Sequence, residues 1–94
     1  MPINFFTTSQ TFGEWLQQLL DAHNMKPIKF AQISKISRSS ISRYLSEDRI
    51  PKAQKQDMII KAICKISDME EAEVEQKVIW HCHVSKRRRQ WSNR

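Results

Sequence analysis

One glycine and three prolines in 94 residues leave little material for tight turns. That scarcity disfavours a fold of many short strands joined by turns. Strand-like alternation is also scarce, while apolar spacings of three and four recur, so the expected class is all-α. The two cysteines, Cys64 and Cys82, are far apart and fit no disulfide framework. No stretch is long and apolar enough to span a bilayer, and the opening MPINFF lacks the basic segment and apolar run of a secretory leader. The expectation is a cytoplasmic protein with reduced thiols. There is no Gly-rich phosphate loop and no set of nucleophile, base and orienting group, so catalysis is not expected. His81-Cys82-His83 groups three potential metal ligands, yet neighbours on a helix point in different directions and the spacing is not that of a zinc site. Neither a metal nor a cofactor is expected.

Charge is missing locally as well. Residues 1–25 contain no Lys or Arg, and residues 80–94 contain no acid but five Lys and Arg. Residues 26–55 carry eight Lys and Arg against Glu47 and Asp48, whereas residues 56–79 carry six acids against three bases, within a net charge of +6. A chain that collects its cations on one stretch and one tail has an electropositive side, for which a polyanion is the natural partner. The plainer reading of the same counts is a solvated basic surface.

Hydrophobic content of 39% suffices for one small core. Residues 1–10 form a short N-terminal arm whose Ile3, Phe5 and Phe6 suggest folding back or burial in a second subunit. Thr11 and Glu14 have the spacing of a capping box, followed by Phe12, Trp15, Leu16, Leu19 and Leu20 at helical spacing. This helix should close near His23-Asn24. A second helix starts at Pro27, suited to a first turn, with Ile28, Ala31 and Phe30 inward, and stops near Ser34-Lys35. Ser37 reads as the N-cap of a third helix, Arg38 to about Ser46. Its apolar edge is Ile41, Tyr44 and Leu45; Arg38, Ser39, Ser42 and Arg43 lie on the other. A fourth helix spans about Lys52 to Ile66, with Met58, Ile59, Ala62, Ile63 and Ile66 buried. Ser67 or Asp68 should cap a fifth, whose first turn holds Glu70, Glu71 and Glu73, as the helix dipole favours. That helix carries Val74, Val78 and Ile79 and either continues through Lys86-Arg87-Arg88-Arg89 or frays before it.

The stretch from Pro27 to Pro51, PIKFAQISKISRSSISRYLSEDRIP, thus combines two short helices, a tight turn and clustered cations. Phe30-Ala31, Ile36-Ser37, Ile41-Ser42 and Pro51 stand at matching spacing to the helix-turn-helix of the Cro and phage-repressor (lambda-repressor-like) family, which this stretch resembles. The order of elements, one helix before and two after, is similar too. Two positions depart from the pattern. Pro27 stands where Gln is common at the start of the first helix, and Lys35 stands where Gly is favoured in the turn. A left-handed Lys35 would cost on the order of 1 kcal/mol.

The resemblance implies a compact five-helix all-α domain over residues 11–80, with the helix-turn-helix at helices 2 and 3 and residues 81–94 as a basic extension. It implies a sequence-specific regulator of transcription of bacterial or phage type, a repressor, binding double-stranded DNA in the major groove. By this resemblance Arg38, Ser39, Ser42 and Arg43 face base edges. Arg suits guanine because O6 and N7 accept its two-pronged fork. Lys29, Lys35, Ser37, Ser40, Ser46, Arg49 and Lys52 are assigned to the backbone. One reading helix spans few base pairs, so a homodimer on an inverted repeat is expected. Its surface, by elimination, is helix 5 with Val78 and Trp80, together with Phe5 and Phe6 of the arm.

Two other functions fit the same residues. An antitoxin-type protein would use this domain on DNA and its flanks on a partner protein. An RNA-binding module would use the tail, where Lys86, Arg87, Arg88 and Arg89 track phosphates and Trp91 stacks on single-stranded bases.

Overall fold

The structure, a computed structural model, describes residues 10–92, and the side chains among them as far as Arg88. The described residues form five α-helices and no strand: α1 Phe12–Ala22, α2 Pro27–Ser34, α3 Arg38–Leu45, α4 Ala53–Ile66 and α5 Glu71–Ser92. Helix α1 packs on α3 and α5, α2 packs on α3 and α4, and α4 packs on α5.

Local chemistry sets most of the boundaries. The Thr11 hydroxyl accepts the Glu14 amide at 3.3 Å, and the Glu14 carboxylate accepts the Thr11 amide at 3.0 Å, completing a capping box. Asn24 takes a left-handed conformation, φ 53°, just beyond the end of α1. At the far end of α4, Ser67 donates its hydroxyl and its amide to the Ile63 carbonyl, at 2.9 and 3.0 Å. Ser67 therefore closes α4 instead of capping α5, which begins only at Glu71.

The core is one cluster to which every helix contributes. Phe12, Leu16, Leu20, Phe30, Ile41, Ile59, Ile63, Val74 and Val78 are at most 1% exposed. Burying each such side chain contributes about 1.5–3 kcal/mol. Ile60 and Ile36 join them, while Met58 and Ile66 only flank the cluster. Ile28 departs from expectation: it is 45% exposed. The eight-residue α2 buries the stripe Phe30, Ala31 and Ser34, and Ile28 lies roughly 200° around the helix from Phe30.

Of the two courses open to it from the sequence, helix α5 takes the continuous one and runs unbroken through Lys86-Arg87-Arg88-Arg89. His81, Cys82 and Ser85 are buried with Val74 and Val78, so the packed body reaches beyond residue 80. Among the described residues, no helix is long and apolar enough to cross a membrane.

Candidate nucleic-acid interface

The surface in question is built on α2 and α3. Pro27 occupies the first turn of α2, and Lys35 ends that helix in a left-handed conformation, φ 63°. The Ser34 hydroxyl donates to the Ala31 carbonyl at 3.3 Å and accepts the Ile36 amide at 3.4 Å. Ile36, 3% exposed, anchors the short connection in the core. Ser37 caps α3: its oxygen accepts the Ser40 amide at 3.2 Å, and its hydroxyl donates to the Ser40 oxygen at 2.9 Å. Ala31 and Ile41 are both buried, and α2 packs on α3.

With Ile41 and Tyr44 turned into the core, α3 turns Arg38, Ser39, Ser42 and Arg43 outward. All four are exposed, and together they line a shallow depression of about 460 Å³. No carboxylate among the described residues pairs with Arg38 or Arg43. Two guanidinium forks and two hydroxyls on one helix face form a set of hydrogen-bond donors wide enough for planar acceptors.

A second, larger cleft of about 550 Å³ adjoins this face. Ser40, Arg49, Lys52, Lys55 and the buried Tyr44 are among its lining residues. Arg49 and Lys52, assigned from the sequence to a phosphate backbone, are thus brought together. Burial pushes the Tyr44 phenol up against the opposing pull of Arg49, so it remains a hydroxyl donor at neutral pH. Lys55, which the sequence does not single out, lines the same cleft from the first turn of α4.

The remaining assigned residues are placed as follows. Lys29 and Lys35 are exposed on α2 and at its end. Ser46 is exposed, its hydroxyl donating to the Arg43 carbonyl at 3.2 Å. Lys86, Arg87 and Arg88 are exposed on α5, with Arg88 3.6 Å from the Glu14 carboxylate. The side chains of Arg89 and Trp91, and the arm residues Phe5 and Phe6, lie outside what the structure describes. Val78, expected at a dimer surface, is fully buried in its own chain, because it falls on the Val74–Val78–Cys82 stripe that packs inward. Trp80 is 52% exposed.

The end of α3 is held from behind. Glu47, at φ 70° in the following loop, accepts the Gly13 amide at 2.6 Å and the Ser85 hydroxyl at 3.0 Å. Ser85 in turn accepts the Phe12 amide at 2.8 Å. Two first-turn amides of α1 are satisfied in this way by the α3–α4 loop and by α5. Nearby, His81 donates Nδ1–H to the Gln10 carbonyl at 2.7 Å and stacks on Trp15 at 5.1 Å between ring centroids. Burial holds the imidazole below its usual pKa, and burial pushes the Cys82 thiol up to about 12. Among the described residues, no group of three or more His, Cys, Asp or Glu is placed to hold a metal ion.

Comparison with known proteins finds no matching family, no matching curated protein and no matching solved structure.

Proposed function

We propose that this chain is a sequence-specific double-stranded DNA-binding regulator of transcription, with α2 and α3 as a helix-turn-helix and α3 as its reading element. In this reading α3 enters the major groove, which admits one α-helix and displays a distinct donor and acceptor pattern for each base pair. The observation that carries the proposal is the exposed, unpaired set Arg38, Ser39, Ser42 and Arg43 on one face of a helix whose other face is anchored by Ile41 and Tyr44. Two guanidinium groups and two hydroxyls stand on that face with no acid among them. Arg49, Lys52 and Lys55 then grip phosphates beside the reading helix, and Lys29 and Lys35 do so from α2.

The regulator acts as a homodimer on an inverted repeat, and it represses by occupying sites that polymerase needs. The test is titration of fluorescent duplexes with the intact protein and with Arg38→Ala and Arg43→Ala. Loss of either Arg lowers affinity for the preferred duplex by about 1–3 kcal/mol and relaxes preference at one base pair. Unchanged preference in both variants would refute the assignment of α3.

A further inference from the structure

We propose that α5 is a self-recognition surface, on which two copies of this chain pair antiparallel about a twofold axis beside Trp80. The inward side of α5 is set by Val74, Val78, Cys82 and Ser85. At 100° per residue, the opposite side is the stripe Glu73, Gln76, Trp80, His83 and Arg87, with Ile79 at its edge. All six are exposed. Ile79 and Trp80, at 53% and 52% exposure, are two of the chain's exposed large hydrophobic residues, and they are adjacent at the middle of this stripe. The Trp80 ring lies 6.1 Å from that of His83, which widens the apolar patch along the helix.

Charge complementarity identifies the occupant. Glu73 stands seven residues before Trp80 and Arg87 seven after it, so both lie two turns from the centre on the same side. No ion pair within the chain engages either one among the described residues. In an antiparallel pair centred on Trp80, Glu73 of each copy meets Arg87 of the other, twice by symmetry. A parallel pair would set Glu73 against Glu73 and Arg87 against Arg87, and repulsion would oppose it. The same division holds along the helix apart from Lys77, with Glu71, Glu73 and Glu75 in its first half and Lys86, Arg87 and Arg88 in its second. A second copy, antiparallel, is therefore a partner of complementary charge at Glu73 and Arg87. One helix pair makes a small interface, so the association is weak, on the order of micromolar.

This deepens the regulator reading by supplying the surface of its dimer, but the test contains no DNA, so the two can fail separately. Sedimentation equilibrium of the intact chain should show a monomer–dimer equilibrium. Glu73→Arg and Arg87→Glu should each weaken it about tenfold or more, since each sets like charges opposite one another. An equimolar mixture of those two variants should recover wild-type association, because both cross pairs are then opposite in sign. The double variant E73R/R87E should recover it within one chain, which keeps the test sound even if a single variant folds poorly. Trp80→Ala should weaken the dimer without changing the circular dichroism of the monomer. A wild-type chain that stays monomeric, a dimer indifferent to the charge variants, or a mixture that fails to recover would each overturn the proposal.

Discussion

Gly13 and Glu47 meet across the end of α3, the Gly13 amide donating to the Glu47 carboxylate at 2.6 Å. Gly13 is the only glycine in the chain. A methyl group added there would meet that carboxylate and would lie 2.6 Å from the Leu45 carbonyl oxygen and 2.7 Å from that of Tyr44. The residue is thus fixed by close approach of α1 to the end of α3, while its own φ is ordinary. Gly13→Ala should destabilise the fold by about 1–3 kcal/mol through overpacking against backbone that cannot retreat. Glu47→Ala should cost a similar ~1–3 kcal/mol by leaving the Gly13 amide and the Ser85 hydroxyl short of an acceptor. Urea denaturation of both variants checks this. Wild-type midpoints would show that α1 and α3 are not braced through this contact.

Lys35 offers the opposite case, a site where substitution should stabilise. Its φ of 63° closes α2 in a region that a Cβ disfavours. Lys35→Gly should relieve about 1 kcal/mol at this turn, offset in part by the greater freedom of glycine in the unfolded chain. Thermal melting should show a higher Tm for the variant. An unchanged or lower Tm would mean that the lysine side chain makes up the difference elsewhere.

A pH dependence should follow from His81. Its imidazole is buried against Trp15 and held below its ordinary pKa, chiefly by desolvation, with Lys77 acting in the same direction and the bond to Gln10 opposing. The unfolded chain therefore binds a proton at this site more readily than the folded one. Stability is fully present above the unfolded value of about 6.5 and is lost as pH falls from there toward the folded value. Urea titrations between about pH 8 and 5 should show the wild type weakening across that window and His81→Gln weakening less. Equal slopes would remove His81 from the account.

These sites differ in how far the sequence announces them. The Thr11–Glu14 box and the Ser37 cap are local patterns, and each appears at its expected place because its partners lie within one turn. The outward set on α3 was legible for the same reason: residues i, i+1, i+4 and i+5 share a helix face once Ile41 and Tyr44 define the other. The inward stripe of α5 was not. It passes from Val74 and Val78 to His81, Cys82 and Ser85, residue types that do not declare burial, and Lys77 and Lys86 interrupt it in sequence. Nor could Glu47 be singled out, since its partners Gly13 and Ser85 lie 34 and 38 residues away. Long-range contacts of that kind arise only from packing, and a loop acid looks the same in sequence whether it braces a helix or meets water.

If α3 reads a DNA sequence, as proposed, the paired chain reads it twice. Selection from a random duplex pool at moderate salt, followed by sequencing of the bound fraction, separates such reading from attraction to phosphates. The expected result is an enriched inverted repeat with half-site centres one helical turn, roughly 10 bp, apart, and loss of that enrichment in the Arg38→Ala/Arg43→Ala variant. Strong binding with no sequence enriched would contradict it, because the cations would then act through phosphates alone. Enrichment that survives loss of both arginines would contradict the placement of recognition on α3.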